Sequence, residues 1–221
     1  MFDEERRRET GLTRIAFVSD THMEHGRLKL PRDIDVLVHA GDFTNSGSPS
    51  EINGFGEWCR RQKFKVICVA GNHELSLDSS EREPRERARH HYLRGVTYLQ
   101  EERYEHNGIK FWGSPRVPRI GDWAFCYDRD DRERWWRSVP ACDVLITHGP
   151  PLGILDIEDG THHGCWALRE AVRRVRPKIH VFGHIHASYG LALVDGTLFI
   201  NASSQHPERR KYLNTPIIVD L

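Results

Sequence analysis

The chain has 221 residues, 38% hydrophobic and 29% charged, the composition of an ordinary globular protein large enough to bury a sizeable core. Its 32 Lys and Arg balance 32 Asp and Glu, which excludes a bulk electrostatic pull toward nucleic acid or anionic membrane. The unusual count is 14 His, more than surface solubility requires.

Residues 1–12 read as a flexible N-terminal arm, and residues 13–221 as one domain without repeats or an interdomain linker. Arg14 to Val18 is an apolar, β-branched run and reads as the first strand; Asp35 to Ala40 reads as the second. Ser48-Pro49 then supplies an N-cap and a proline at the first helical position, and Ile52, Phe55, Trp58 and Cys59 recur at helical spacing behind it. Lys65 to Ala70 is a third strand. Ser80 to Arg94 is dense in charge and reads as a solvated helix. Val96 to Leu99 and Tyr104 to Trp112 alternate as strands, with Asn107-Gly108 a type I′ hairpin signal.

Arg116 to Asp131 is rich in aromatics, proline and glycine, and reads as an ordered surface loop. Trp123, Phe125 and Tyr127 within it read as packing beneath that loop, with base stacking the alternative. Asp130 to Ser138 is a short helix, and Asp143 to Thr147 a strand. Cys165 to Arg176 is a helix whose inner face is Trp166, Leu168, Val172 and Val175. Lys178 to Phe182 is a strand, Leu191 to Ile200 a hairpin turning at Asp195-Gly196, and Pro216 to Leu221 a closing strand. Strands alternate with helices early and late, while hairpins fill the middle and end. That mixture points to an α/β protein of two packed sheets with helices outside.

No stretch reaches the roughly 18 apolar residues of a membrane helix, and Met1 to Thr10 lacks the apolar centre of a signal peptide. Five scattered cysteines without a Cys-x-x-Cys pair indicate neither a disulfide framework nor a thiolate metal site. A cytoplasmic protein is expected.

Five polar clusters stand where apolar runs stop: Ser19-Asp20-Thr21-His22, Gly41-Asp42, Gly71-Asn72-His73-Glu74, Thr147-His148-Gly149 and Gly183-His184-Ile185-His186. Ligands bind at the carboxyl ends of strands in α/β sheets. Asp20 and His22, two apart on an extended segment, would point the same way. Asp42 has two oxygens with which to bridge two cations, Asn72 offers a neutral carbonyl, and His148, His184 and His186 supply imidazoles. Mixed nitrogen and oxygen donors without sulfur suit divalent Mn, Fe, Zn, Ni or Co. Two such ions about 3.5–4 Å apart clamp phosphoryl oxygens and acidify a bridging water. His73, beside a ligand, is the candidate proton donor to the leaving oxygen. Thr44, Asn45 and Glu74 read as substrate contacts, with turn chemistry or orientation of a ligand as the alternative. His39 and His180 read as packing or hydrogen-bond partners, and His162-His163 as a solvated loop.

This series resembles the signature of the calcineurin-like metallophosphoesterases, from Ser19 to His186. The resemblance implies a four-layer αββα sandwich of two mixed sheets flanked by helices. It implies one metal on Asp20, His22 and His186, a second on Asn72, His148 and His184, and Asp42 bridging. Asp42 and His73 would then be the catalytic residues, with Mn the foremost of the metals. His39 to Asn45, Gly113-Ser114-Pro115, Thr147 to Gly153, His180 to His186 and Asn201-Ala202-Ser203 are similar to the metallophosphoesterase-domain-containing subfamily. Some of its members carry Gly at the position of His184; the imidazole kept here implies a competent enzyme. The expected activity is hydrolysis of small nucleotide phosphodiesters, cyclic nucleotides included, by attack of a metal-bridging hydroxide on phosphorus. A nuclease, a phosphomonoesterase or phosphoprotein phosphatase, and a largely non-catalytic AMP- or GMP-binding protein are the rivals; nucleic acid is not favoured as a partner and a membrane is not expected. Residues 116–131 are more charged than the subfamily pattern and residues 201–215 more basic; both segments are expected to border the substrate, and specificity is where this chain departs from the resemblance.

Overall fold

Runs of Val, Ile and Leu buried on both faces are what parallel strands inside a layered α/β protein require, and they order this chain. The computed structural model describes residues 11–78, 89, 91–128, 130–206 and 213–221. The arm expected over residues 1–12 lies mostly outside the described residues. So does most of the helix expected over Ser80–Arg94. Among the described residues the strands are β1 (Arg14–Val18), β2 (Val36–Ala40), β3 (Lys65–Val69), β4 (Thr97–Tyr98) and β5 (Glu102–His106). They continue with β6 (Ile109–Ser114), β7 (Val117–Pro118), β8 (Cys126–Tyr127), β9 (Val144–Thr147) and β10 (Ile157–Glu158). The rest are β11 (Thr161–His162), β12 (Ile179–Phe182), β13 (Gly190–Val194), β14 (Thr197–Asn201) and β15 (Ile217–Asp220). The α-helices whose residues are all described are α1 (Pro49–Arg60), α2 (Arg132–Arg137) and α3 (Trp166–Val175).

One sheet has the order β15-β1-β2-β3-β4 and the other β13-β14-β12-β9-β6-β5. β1 to β4 are parallel with β15 antiparallel at the edge, and β6, β9, β12 and β14 are parallel between antiparallel β5 and β13. Both sheets are therefore mixed, as expected. Ile15, Phe17, Val36 and Val38 of the first sheet bury against Val144, Ile146, Ile179 and Val181 of the second. The opposite face of the first sheet, with Ala16, Leu37 and Cys68, packs on Ile52, Phe55 and Cys59 of α1. The opposite face of the second, with Leu145, Phe182 and Phe199, packs on Trp136 of α2 and Leu168, Ala171 and Val172 of α3. Helix, sheet, sheet, helix is the layer order, because each strand face needs an apolar cover.

α1 starts where expected. Ser48 Oγ accepts from Glu51 N, and the Glu51 side chain returns to the Ser48 backbone, a complete capping box. Cys165 turns out to cap α3, and the helix stops at Arg176, whose φ is 51°. The two segments read alike from their alternation go to different sheets. β4 joins β3 in the first sheet, whereas β5 and β6 form the Asn107-Gly108 hairpin in the second. Alternation sets which face a residue occupies, and says nothing of which sheet receives it. The expected ordered loop carries a short strand pair over its described part: β7 pairs with β8, and Val117, Phe125 and Tyr127 are buried.

Candidate metal centre

The carboxyl ends of the parallel strands of both sheets meet at one edge, where Ser19 N donates to Ala202 O at 2.8 Å and Ser204 N to Ser19 O at 2.7 Å. Asp20 and His22 leave β1, Asp42 leaves β2, and Asn72, His73 and Glu74 leave β3. His148 leaves β9, and His184 and His186 leave β12. Donor atoms of Asp20, His22 and His186 lie within 4.8 Å of one another, as do those of Asp42, His148 and His184, and of His22, Asp42 and His73. Asp42 Oδ2 is central, 3.3 Å from His148 Nε2 and 3.9 Å from both His22 Nε2 and His73 Nε2. Asn72 Oδ1 is 3.0 Å from His148 Nε2.

The backbone that aims these groups differs from the extended segment expected at Asp20 and His22. Asp20, His22, Asp42 and His184 have φ of 51°, 41°, 54° and 70°, in the left-handed region that non-glycine residues avoid. Strain of this kind costs about 1–3 kcal/mol a residue and persists only where neighbours enforce it. Asp20 N donates to Gly41 O and His22 N to Asp42 O, so successive loops brace each other. The stacking is close: a Cβ at Gly183 would lie 2.1 Å from Asp20 Oδ2, and one at Gly71 2.3 Å from Asp42 Oδ1. The loops that carry Asn72 and His184 thus need a residue without a side chain just before the ligand.

Three imidazoles are fixed in one tautomer. His22 Nδ1 faces Thr44 O at 3.1 Å, His148 Nδ1 faces Ala40 O at 2.8 Å, and His73 Nδ1 faces Asn45 O. A carbonyl only accepts, so Nδ1 carries the proton and Nε2 turns to the cleft. The Nε2 of His148 then faces oxygens of both Asp42 and Asn72. A lone pair aimed at two oxygens is repulsive, so that position calls for a proton or a cation between the three atoms. Burial pulls the His148 imidazole down, but Asp42 outweighs it and pushes the group up to about 9. Against its own burial, Asp42 is held down to about 2, chiefly by His148. Asp20 is driven well below the usual carboxylate range, with His186 overcoming the cost of burial. Burial brings His184 down to about 4 and also lowers His22, which favours the neutral imidazole that a ligand must be. Two groups of nitrogen and oxygen donors sharing Asp42 thus fit two divalent ions.

The residues read as substrate contacts divide. Asn45 is exposed and lines the cleft. Thr44 and Glu74 are fully buried, and this corrects the reading of them as contacts. Glu74 accepts from Gly71 N at 2.6 Å, Asp42 N at 3.0 Å, Thr44 N at 2.9 Å and Thr44 Oγ1 at 2.8 Å. It ties the β2 and β3 loops together beneath the cleft. Burial, then Asp42, pushes its carboxyl up to about 7 against those bonds.

Two buried histidines have partners the sequence did not assign. His39 Nε2 lies 2.9 Å from Thr21 Oγ1, and His180 Nε2 lies 2.9 Å from Thr147 Oγ1. Thr147 donates its hydroxyl proton to Gly149 O, so it accepts from His180. Each Thr adjoins a ligand, and each His stands on the neighbouring parallel strand. His39-Ala40-Gly41-Asp42 and His180 to His184 were the available signals, since a His inside an apolar run has to find a partner. Ser203 Oγ donates to Asp20 Oδ2 at 2.8 Å. Phe125 and Tyr127 pack beneath their loop as expected, but Trp123 is exposed and its ring lies 4.3 Å from that of His73. His162 is exposed, bonded to Asp156 at 2.7 Å.

Residues 13–188 match the family model described as calcineurin-like phosphoesterase. Human metallophosphoesterase domain-containing protein 1 is 37% identical over 235 aligned residues, covering 96% of this chain and 72% of the relative. The Caenorhabditis elegans UPF0046 protein K07C11.7 is 37% identical over 206, covering 88% and 70%. Among solved structures, the phosphopantetheinyl hydrolase of Mycobacterium tuberculosis superposes with a TM-score of 0.61 at 18% identity, covering 96% of both chains. At that identity the likeness is one of fold.

Proposed function

Because this chain belongs to the calcineurin-like phosphoesterase family, we propose that it hydrolyses small nucleotide phosphodiesters, cyclic nucleotides included, in a reducing cytoplasm. Phosphoester hydrolysis with divalent metal is the family's chemistry; the preference for diesters is the step beyond it. The observation that carries this step is the charge of the cleft. A cavity of about 710 Å³ is lined by His22, Asp42, Asn45, Asn72, His73 and His186, and also by Glu24 and Glu158. Among the described residues no Lys or Arg lines it. A phosphomonoester brings two negative charges at neutral pH and a diester one, so a lining whose described residues supply carboxylates and no Lys or Arg favours the diester.

Asp20, His22 and His186 would hold one ion, Asn72, His148 and His184 the other, and Asp42 both. Bound there, the ions supply Lewis acidity for the phosphoryl oxygens and acidify water. The chain's own residues do the rest. Carbonyls of Thr44 and Ala40 lock His22 and His148 with Nε2 inward. The same lock on His73 by Asn45 O means that its imidazolium form has the Nε2 proton to give to the departing oxygen, while Nδ1 keeps its own. Asn45, exposed at the cleft, has an amide to offer the phosphoryl group.

The test compares metal-stripped and Mn-reloaded protein on bis-p-nitrophenyl and p-nitrophenyl phosphate, and on 2′,3′- and 3′,5′-cyclic AMP. Hydrolysis that needs the metal and prefers diesters is expected. A preference for the monoester overturns the diester reading, and silence on all four with two metals bound overturns the enzymatic one.

A further inference from the structure

A second cavity, of about 490 Å³, adjoins the metal cleft and shares His184 with it. Its size falls in the range of small-ligand sites. Its wall includes Trp166 and Ile120, 40% and 46% exposed. Trp166 opens α3, an amphipathic helix whose Ala167, Leu168, Ala171 and Val172 enter the core. The sequence pattern placed Trp166 on that inner face with them. It instead points away from the packed cluster that α3 builds, and belongs to none of the apolar cores. An indole left out of the apolar cores beside the metal cleft is exposed apolar surface that needs a reason.

The polar part of the cavity is equally specific. The Arg132 guanidinium lies over the Trp166 ring, 5.5 Å from its centroid, and Arg119 pairs with Asp128 at the rim. Among the described residues, two cationic groups and one carboxylate around a flat apolar wall suit a ligand that is planar and apolar on its face and carries donors and acceptors along its edge. An acyl chain would leave the rim charges against methylene groups, and a sugar alone would leave the indole bare. Charge and shape together describe a heteroaromatic base.

We infer that this cavity is the base subsite of the enzyme, in which Trp166, Ile120 and Arg132 hold the nucleobase of a substrate whose phosphorus lies over the metal ligands. His184 is where the two cavities join, so one molecule spans both. The inference rests on the phosphoesterase reading of the cleft and adds the residues that choose the substrate. It also places the unusual charge of the 116–131 segment, since Arg119, Ile120 and Asp128 belong to it.

The experiment measures binding of AMP and of ribose 5-phosphate to the Mn-loaded full chain by calorimetry. The two ligands share phosphate and ribose and differ only in the base. The native protein should bind AMP more tightly, and Trp166→Ala should remove roughly tenfold of that preference, the size of one base–aromatic stack. Trp166→Phe should restore most of it, and Ile120→Ser should lower it in the same direction. Metal content and melting temperature of each variant establish that the fold and the cleft are intact. An unchanged preference in a folded Trp166→Ala protein, or an equal fall for both ligands, overturns the inference. Loss of the preference in a protein that hydrolyses none of the diesters would leave the subsite standing and overturn the phosphodiesterase reading alone.

Discussion

The two sheets contribute unequally to one centre. The first supplies all the oxygens, from Asp20, Asp42 and Asn72, and the His22 imidazole, on loops whose backbone is left-handed at Asp20, His22 and Asp42. The second supplies His148, His184 and His186, of which only His184 is left-handed. The first half is braced by a buried carboxylate of its own, Glu74, through four hydrogen bonds. The second half is held largely by the first: His148 Nδ1 bonds Ala40 O, and the His184 amide donates to Asp20 at 3.0–3.1 Å. Yet both halves share one device, a buried His on one strand bonded to a Thr beside a ligand on the next. Anions on one sheet facing imidazoles on the other give the sheet edges a reason to stay in register before any ion binds. Asp42 with His148 is the contact in which that attraction concentrates.

The strongest way to break this picture is to remove its centre. Asp42→Ala should lower turnover by about 10³-fold or more, since several kcal/mol of charge stabilisation depend on the shared carboxylate. Near-normal activity with both metals replete would show that the halves do not meet through Asp42. His73→Ala leaves every ligand in place and should keep the metals while slowing turnover by roughly 10²-fold or more. The loss should grow as the leaving group becomes more basic; an equal loss for all leaving groups would count against proton donation.

The smallest change tests the shared device. His39→Phe and His180→Phe should each weaken metal binding by about tenfold, the effect of losing a partner of the ligand shell. If only one variant does so, the halves are not held alike. The same variants carry a pH signature. Burial depresses both imidazoles from 6.5 to about 3 in the folded protein. Between those values the unfolded chain takes up protons that the folded chain refuses, so stability is complete above pH 6.5 and falls as the pH drops toward 3. Urea unfolding at pH 7 and pH 5 should show a smaller acid loss in each variant than in the parent. An identical loss would mean that these histidines are not the groups held neutral.

The positions of the ligand clusters were readable because an apolar run that is buried on both faces ends abruptly, and the polar residues after it have only the strand edge to occupy. Asp20, Asp42, Asn72, His148, His184 and His186 could be placed on that basis. How they are aimed could not. The positive φ at Asp20 and His22 arises from hydrogen bonds to residues about twenty positions away, and no local pattern encodes it. Thr44 and Glu74 look like site residues in sequence because they sit among ligands, and only burial shows that they support the loops from below. Trp166 is misplaced for the converse reason: helical spacing put it with Leu168 and Val172, although its ring finds a cavity instead of a core.

The sequence by itself determined the long core strands, their two-sided burial and the polar residues that follow them, since side-chain type and hydrophobic period are local properties. Only the tertiary structure decided which sheet receives β4 and β5, which imidazole nitrogen faces the cleft, and that the Trp166 cavity opens onto His184. Those are relations between segments far apart in the chain. They are settled by the packing of two sheets edge to edge and by the hydrogen bonds that cross between them.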